Sequence, residues 1–361
     1  MKVAVINELY GTKRQGGEQE AIHELAQRLR AQGWLVDLYA YCSQPGYKRI
    51  KTNVPLFLRL APFFRDIFVL PWIGRRFLPK IDEKYDVIIG STASWFSFGR
   101  LHTPFLLIYH AVRTQKSEKL SRQNEYRLLF NPLTRWLLYL AENKGLQEVT
   151  KVVVIRETMK KYLVRRFALS DNKITVIPNA VDTEKFQPTG QKQSDIVLFV
   201  GRSTNNKGID ILLEAAPQIK AQVIVVTRLA SPEVMAQGRK KGVKFILNTP
   251  HDQMPALYQG AKVFVLPSLD EEQPLTIIEA MACGLPVVTT KAGSGSLIRD
   301  GANGYIIPEQ DPKALVTAVN KLLARGGLQD KINTNNQKLI TANHTWDKIL
   351  PKYTTVLKQI K

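Results

Sequence analysis

The chain has 361 residues, of which 44% are hydrophobic and 23% are charged, a composition typical of a globular protein with room for two domains. It carries 51 lysines and arginines against 31 aspartates and glutamates, which gives a formal charge of +20. We find no apolar run near the roughly 18 residues that a membrane-spanning helix needs, and a strand begins directly after Met1. We therefore predict neither a transmembrane helix nor a signal peptide, and we expect a cytoplasmic protein.

Apolar strands alternate with helices in two successive rounds, which predicts an α/β protein with parallel, doubly wound sheets. The first round is predicted to contain strands at 2–6, 35–39, 85–89, 105–109 and 152–155, a helix at 18–32, and a helical stretch at 124–146 interrupted near Pro132. After 174–182 the pattern restarts with a strand at 196–201. We predict an N-terminal domain at 1–178, a C-terminal domain at 183–340, a terminal helix at 341–361 and a hinge at 179–188.

Between residues 47 and 80 the basic excess is concentrated and mixed with aromatic side chains. The cations, against the single acid Asp66, are Lys48, Arg49, Lys51, Arg59, Arg65, Arg75, Arg76 and Lys80. The aromatic residues are Phe57, Phe63, Phe64, Phe68, Trp72 and Phe77. We interpret the segment as one or two amphipathic helices, broken at Pro62, Pro71 and Pro79, that lie on an anionic membrane. Two alternatives stay open: the aromatics belong to the core while the charges face solvent, or the segment binds nucleic acid, which the lack of a recognised motif disfavours.

Two features of the first round are candidates for a binding site. Gly16 and Gly17 follow a long loop and precede the first helix, so their backbone N–H groups can approach an anion near the positive end of the helix dipole. Loops also use paired glycines merely to turn. His110 ends the strand 105–109, and its ordinary pKa allows either a structural or a functional role.

A basic loop opens the second round. Arg202 and Lys207 lie between the strand 196–201 and the next helix, at the carboxyl edge of the predicted sheet. There an arginine fork and a lysine point charge can neutralise the charge that develops on a departing diphosphate. Taken singly, either residue could equally be a solvated loop cation.

The segment 263–288 contains two glutamates close to the end of a predicted strand. Pro274 suits the first turn of a helix, so a helix is expected to begin near Leu275, with its free N–H groups facing the preceding acidic loop. Glu271 lies in that loop and Glu279 on the expected first helical turn, and each carboxylate can accept two hydrogen bonds from vicinal hydroxyls. Open α/β sheets bind ligands at this edge, which favours a sugar site over two solvated charges.

Metal chemistry is not predicted. Cys42 and Cys283 lie far apart and have no metal-ligand spacing, so we expect both to be reduced, buried and structural. An Asp-x-Asp motif is absent as well.

The segment from Glu271 to Val288 resembles the E-x7-E signature of retaining nucleotide-sugar glycosyltransferases with the GT-B fold, and of glycosyltransferase family four in particular. Residues 279–288 read Glu-Ala-Met-Ala-Cys-Gly-Leu-Pro-Val-Val, and 177–182 read Ile-Pro-Asn-Ala-Val-Asp, similar to the segment that joins the two domains in that family. Glu272 and Gln273 replace the family's Gly-Phe, and Ser296 stands where a glutamate is common. Residues 223–228 lack the usual Gly-rich turn. Residues 109–113 and 206–210 resemble, more loosely, the lipopolysaccharide-core glucosyltransferases.

The resemblance implies two Rossmann-like domains facing each other across a cleft, with the acceptor on the N-terminal and the nucleotide sugar on the C-terminal domain. It implies that Glu271 and the backbone after it, at Gln273, Pro274, Leu275 and Thr276, hold the donor sugar. Glu279 would hold the ribose. The donor phosphates would be held by Arg202 and Lys207, with Gly16 and Gly17 contacting diphosphate and acceptor, and His110 positioned beside the sugar.

The expected function is a retaining glycosyltransferase of the hexosyltransferase type, using a UDP- or GDP-sugar without metal or other cofactor. The acceptor would be a glycan or a lipid-linked molecule in cell-envelope polysaccharide or lipopolysaccharide synthesis. The protein would be cytoplasmic, or peripheral on the inner membrane face through residues 47–80, with no nucleic-acid partner. Two alternatives stay open: a nucleotide-sugar 2-epimerase with the same double fold, and a catalytically silent nucleotide-sugar-binding subunit.

Overall fold

The computed structural model describes residues 1–7, 16–40, 45–50, 70–91, 101–112, 114–115, 132–189, 194–324 and 326–361. The chain divides into two compact units. The first comprises Met1–Pro178 with Leu350–Lys361, and the second comprises Asn179–Ile349. The division between Pro178 and Asn179 falls where the predicted hinge begins.

The first unit is built on a parallel sheet. Its strands are β1 (Lys2–Ile6), β2 (Leu35–Ala40), β3 (Lys48–Arg49), β4 (Val87–Gly90), β5 (Phe105–Tyr109), β6 (Lys151–Val154) and β7 (Ile174–Val176). They are arranged in the order β3-β2-β1-β4-β5-β6-β7. The helices are α1 (Gly17–Ala31), α2 (Leu70–Ile81), α3 (Pro132–Glu148) and α4 (Glu157–Phe167). Strands β4 and β5 are buried along their whole length, as expected when helices cover both faces of a parallel sheet.

The second unit repeats the plan. Its strands are β8 (Ile196–Val200), β9 (Gln222–Thr227), β10 (Lys244–Leu247), β11 (Val263–Leu266), β12 (Val287–Thr290) and β13 (Gly304–Ile307), in the order β10-β9-β8-β11-β12-β13. Its helices are α5 (Ile209–Ala215), α6 (Pro232–Lys240), α7 (Met254–Gly260), α8 (Leu275–Ala282), α9 (Pro312–Ala324) and α10 (Gly326–Asn343). The last helix, α11 (Trp346–Ile360), starts in the second unit and ends in the first.

The predicted α/β fold with two parallel sheets is confirmed. The sequence pattern was most accurate where apolar runs are continuous, as at β1 and β5. Helix α3 begins at Pro132, where the sequence predicted an interruption; a proline suits a helix start because it gives up an N–H that would have no partner in the helix. The short strand β3 was not predicted. Residues 116–131 lie outside the described part of the chain.

The basic segment 47–80 differs from the prediction in its described part. Helix α2 begins at Leu70, so Pro71 lies in its first turn, where a proline is tolerated; residues 51–69 before it lie outside the described part of the chain, and the break predicted at Pro71 stays a prediction. The helix runs through Pro79, so the predicted break at that proline is wrong; Pro79 lies in the last turn, where its missing N–H costs a single helical bond. Phe77 is buried in the core of the first unit with its neighbours Leu78 and Ile81, as the core alternative expected for this residue. Pro62, Phe57, Phe63, Phe64 and Phe68 lie outside the described residues. Among the described helices, none is long and apolar enough to cross a membrane.

Candidate functional site

In the second unit, strands β8 and β11 are neighbours, and the chain winds away from them in opposite directions. From β8 it continues to β9 and β10 on one side of the sheet, and from β11 to β12 and β13 on the other. All pairings are parallel, so the carboxyl ends of these strands share one edge. The point between β8 and β11 is a topological switch point, where open α/β sheets form their ligand crevice.

Lys207 and Glu271 meet at this switch point. Lys207 follows β8 on a short 3-10 helix, and Glu271 follows β11 on the acidic loop; the Lys207 ammonium donates a hydrogen bond to Glu271 Oε1. The side chains are only 18% and 10% exposed, so the pair is largely shielded from water. Two loops 64 residues apart are thereby joined by opposite charges. An ammonium has three donors, so Lys207 can hold Glu271 and still offer hydrogen bonds to an anion.

Backbone contacts fix the two loops against each other. The Asn206 carbonyl accepts from the Leu269 N–H at 2.9 Å and from the Ser268 hydroxyl at 2.8 Å. Gly208, the residue after Lys207, has φ +73°, and a Cβ built on it would lie 2.2 Å from the Pro267 carbonyl oxygen. Only glycine fits here, because the left-handed backbone and the close approach both exclude a side chain.

Arg202 lies on the same loop, two residues after β8, and its side chain is exposed. The described hydrogen bonds and ion pairs do not join it to Lys207 or Glu271. The structure thus brings together Lys207 and Glu271 of the predicted residues, and places Arg202 nearby on the loop without a described contact to them.

The residues between Glu271 and α8 form a tightly held turn. Helix α8 begins at Leu275, as predicted, and its first N–H groups have no partner within the helix. Gln273, which replaces the family's phenylalanine, accepts the Asn179 N–H on its side-chain oxygen at 2.6 Å, while the Asn179 amide donates to the Gln273 carbonyl at 2.9 Å. His344 in turn contacts the Asn179 carbonyl through Nδ1 at 2.8 Å. The sequence pattern held no signal for Asn179 or His344 as supports of this turn.

The loop after β12 lies behind the acidic loop. The Glu271 N–H donates to the Ala292 carbonyl at 3.1 Å, and a Cβ on Gly295 would come within 2.8 Å of the Glu272 carbonyl oxygen. Ser296, which takes the place of a glutamate in the resembled pattern, has φ +63°. The close packing requires a small residue at Gly295.

Glu279 lies in the second turn of α8, one turn later than expected. The helix starts at Leu275, and Glu279 is its fifth residue, which lies beyond a first turn of about 3.6 residues. The residue is buried, with 7% of its surface exposed. Its Oε2 accepts the Tyr258 hydroxyl at 2.7 Å, and its Oε1 lies 3.1 Å from His251 Nε2. The carboxylate is therefore fixed from two sides, and each oxygen retains a further acceptor direction.

Tyr258 and His251 are functional candidates that the sequence pattern did not identify. Tyr258 is fully buried on α7, between the rings of Phe186 and Phe264, whose centroids lie 5.9 and 5.8 Å from its own. Burial, reinforced by the Glu279 charge, raises the pKa of the Tyr258 hydroxyl well above its ordinary value. The hydroxyl therefore stays protonated near neutral pH and donates to the carboxylate. His251 is 41% exposed at its side chain, so it borders the outer side of this pocket.

We expect Tyr258→Phe to lower the free energy of unfolding of the second unit by about 1.5–3 kcal/mol, because a buried hydrogen bond to a charged acceptor is lost. Urea denaturation measures this loss. Affinity for a ligand that hydrogen-bonds to the Glu279 carboxylate, measured by calorimetry, should fall as well, because the carboxylate is then held from one side only. Tyr305→Phe, on the half-buried tyrosine of β13, is the matched control and should leave both quantities unchanged. Equal stability of wild type and Tyr258→Phe would contradict the assigned contact.

Cys283 is a free, buried cysteine next to this pocket, as predicted. Burial, with the Glu279 charge adding to it, raises the pKa of the Cys283 thiol, so the thiol stays neutral. Cys42 lies outside the described residues. In the described part of the chain, no group of three or more histidine, cysteine, aspartate or glutamate residues could hold a metal ion.

The other predicted residues belong to the first unit, whose switch point lies between β1 and β4. Gly16 caps the N-terminus of α1 with extended backbone, and Gly17 is the first helical residue. The Asn7 side chain, just after β1, donates to the Gln19 carbonyl at 3.0 Å and so ties the strand end to the first turn of α1. Residues 8–15, the rest of the predicted loop, lie outside the described range.

His110 directly follows β5 and is half-buried. Four residues later, Thr114 donates its N–H to Glu142 Oε2 of α3 at 2.9 Å, and its hydroxyl donates to the same oxygen. Glu142 is 4% exposed, so a buried carboxylate anchors the segment that begins with His110. Sequence reasoning missed Glu142, because a glutamate within a predicted helix carries no sign of burial.

Comparison with known proteins matches each unit to a family. Residues 15–185 match the model of "Glycosyltransferase Family 4", and residues 194–325 match that of "Glycosyl transferases group 1". A D-inositol 3-phosphate glycosyltransferase of Geodermatophilus obscurus is 23% identical over 96% of this chain and 86% of its own length. For seven other curated relatives, the matched part spans only 62–66% of their length.

Two solved structures share the fold over nearly their whole length. Anabaena Alr3699/HepE in complex with UDP-glucose has a TM-score of 0.77 at 17% identity, over 99% of this chain and 100% of that one. WaaG, a glycosyltransferase involved in lipopolysaccharide biosynthesis, has a TM-score of 0.76 at 17% identity, over 98% and 99%. At this identity the likeness shows the GT-B fold.

Proposed function

We propose that this chain, which belongs to the glycosyltransferases of family 4 and group 1, is a retaining hexosyltransferase that uses a nucleoside-diphosphate sugar. The observation that carries the proposal is the shielded Lys207–Glu271 pair at the switch point of the second unit, beside the N-terminus of α8. In this pair, Lys207 offers a cation that can bind phosphate, and Glu271 offers a carboxylate that can accept hydrogen bonds from sugar hydroxyls. A nucleotide sugar presents both groups, phosphate and sugar hydroxyls, at its reactive end.

The donor would lie along the carboxyl edge of the second sheet. Lys207 and Arg202 would neutralise the diphosphate, and the free N–H groups at the start of α8 would add donors to it. Glu271 would orient the sugar, and Glu279, fixed by Tyr258, would accept hydrogen bonds from the ribose hydroxyls. We propose a UDP-sugar first, since HepE is described in complex with UDP-glucose, and a GDP-sugar second.

In the proposed reaction, the bond between the anomeric carbon and the diphosphate oxygen breaks, and the acceptor hydroxyl bonds to that carbon from the same face. A diphosphate oxygen takes the hydroxyl proton, so the configuration is retained without an enzyme nucleophile. The rate would come from charge stabilisation and positioning, with Lys207 favouring the diphosphate as its negative charge grows. Neutralisation by protein cations and helix N–H groups would make a metal ion unnecessary.

The first unit would bind the acceptor. Gly16 and Gly17 would supply backbone N–H groups, and His110, which directly follows β5, would position the sugar. A glycan or lipid-linked acceptor in envelope polysaccharide or lipopolysaccharide synthesis is supported by relatives such as WaaG, which is described as involved in lipopolysaccharide biosynthesis. The enzyme would act in the cytoplasm or on the inner membrane face.

Calorimetric titration of UDP-, GDP-, ADP- and dTDP-sugars without metal tests the donor. We expect one nucleotide to bind, and Glu279→Ala and the isosteric Glu279→Gln to weaken its binding about tenfold or more, because each removes the charged acceptor for the ribose. Glu233→Gln, at an exposed glutamate on α6, is the control. Binding of no sugar nucleotide would contradict the proposal. Binding with no turnover on any glycan or lipid acceptor would favour a silent subunit.

A further inference from the structure

The turn that precedes α8 is hydrogen-bonded to the linker between the two units. The Asn179 N–H donates to the side-chain oxygen of Gln273 at 2.6 Å, and the Asn179 side-chain amide donates to the Gln273 carbonyl at 2.9 Å. Two hydrogen bonds between the same two residues fix their relative orientation as well as their distance. The backbone of Gln273 therefore cannot shift without moving Asn179 or breaking this pair.

Asn179 lies where the chain enters the second unit, directly after Pro178, and the chain returns to the first unit after Ile349. His344 precedes this return. Its Nδ1 lies 2.8 Å from the Asn179 carbonyl oxygen, and its own carbonyl accepts the Val181 N–H at 2.8 Å. The entering segment and the returning segment are therefore joined at Asn179, and we call them the two crossing segments (179–181 and 344–346).

These contacts are shielded from water. Asn179, His344 and Thr345 are 6%, 5% and 8% exposed, and Thr345 forms a parallel bridge with Val181. A buried N–H or carbonyl that loses its partner costs free energy, because no water takes the place of the lost partner. Hydrogen bonds that share one residue, as these share Asn179, also strengthen one another. The contacts between Gln273 and the two crossing segments therefore form and break together.

The turn at Gln273 sets the direction of the N–H groups that begin α8 at Leu275, and these groups have no partner within the helix. In the proposed function they hold the donor, so the inference rests on that function. A ligand binds such groups more tightly when they are already ordered, because less conformational entropy is lost on binding. By the same linkage, a ligand that orders the turn also orders Asn179 and the residues bonded to it.

We propose that Gln273 is a positioning residue whose side chain couples occupancy of the donor site to the order of the two crossing segments. Its side-chain oxygen accepts the linker N–H of Asn179, so the part of Gln273 that would face the sugar is its backbone. The coupling is reciprocal: donor binding stabilises the crossing segments, and a change that loosens Asn179 weakens donor binding.

The test is amide hydrogen exchange of the full chain with and without a sugar nucleotide. Calorimetry of UDP-, GDP-, ADP- and dTDP-glucose selects the probe that binds. At saturation we expect it to slow exchange in peptides covering the two crossing segments about threefold or more in the wild type. Gln273→Leu should bind the probe about three- to tenfold more weakly, as for one lost hydrogen bond, and its crossing segments should no longer respond. The readout is the ratio of exchange rates with and without the probe, which a purely structural role would not change.

Two further variants make the test specific. Gln273→Glu keeps an acceptor oxygen for the Asn179 N–H and should retain the response at saturating probe. Gln259→Leu is the matched control, because the Gln259 side chain donates to the Gln187 carbonyl at 2.9 Å, on the chain beyond the linker, and not to the donor turn. It should respond like the wild type.

Two results would overturn the inference and leave the donor assignment intact. One is an unchanged response in Gln273→Leu, and the other is a wild type that binds the probe without any change in the crossing segments. Binding of no sugar nucleotide to the wild type would reject the proposed function and, with it, the coupling.

Discussion

Lys207→Ala should lower the turnover number about 100- to 1,000-fold while the protein stays folded. Removal of one preorganised donor to a developing negative charge has an effect of this size in other enzymes. Lys207 is the cation that the structure holds in place at the switch point through its contact with Glu271. Steady-state kinetics with the best donor and acceptor measures the effect.

The matched control is Lys220→Ala, at an exposed lysine just before β9, on the opposite edge of the same sheet. It should leave turnover unchanged. Because Lys207 and Glu271 contact each other, the double variant Lys207→Ala with Glu271→Gln should lose less than the sum of the two single losses. Activity of Lys207→Ala close to wild type would remove this residue from the catalytic machinery.

The sequence predicted those parts of the fold that depend on local patterns. Strands β1 and β5 are short apolar runs between polar turns, and a run of this kind specifies a buried parallel strand almost independently of the rest of the chain. The start of α8 at Leu275 followed from Pro274, whose fixed backbone angle suits a helix start.

The contacts that give the candidate site its geometry depend on residues far apart in the chain. Tyr258 and His251 reach Glu279 from 21 and 28 residues away, and Gln273 contacts Asn179 across 94 residues. Such contacts come from the stacking of neighbouring strands and helices, and no spacing rule within one segment contains them. The motif therefore identified Glu279 but neither of the side chains that hold its carboxylate.

The wrong prediction at Pro79 has the same origin. Local propensity says that proline ends a helix, but the anchoring of Phe77, Leu78 and Ile81 in the core stabilises α2 beyond what its own sequence would support. The same packing places the Phe77 side chain in the core of the first unit and not at a membrane surface. An amphipathic pattern shows that a helix has an apolar face, and only the tertiary structure shows what covers it.

Gly208→Ala should lower the free energy of unfolding of the second unit by at least about 3 kcal/mol and weaken donor binding with it. The left-handed backbone at φ +73° costs a residue with a side chain about 1–2 kcal/mol. The new Cβ would also collide with the Pro267 carbonyl, 2.2 Å away, and backbone cannot move aside as a flexible side chain can. Relief of this collision would separate the loops after β8 and β11, and with them Lys207 and Glu271. Urea denaturation and calorimetric titration of the donor measure the two effects.

Gly242→Ala separates the two causes, because Gly242 has nearly the same backbone angle, φ +76°, but no atom within 4 Å of the point where a Cβ would lie. It should lose only the backbone cost of about 1–2 kcal/mol and leave donor binding unchanged. A Gly208→Ala loss as small as that of Gly242→Ala would show that the loops can move apart freely. In that case the close approach of Gly208 to Pro267 would not hold Lys207 against Glu271. The attraction between the opposite charges of Lys207 and Glu271 would have to hold the pair together.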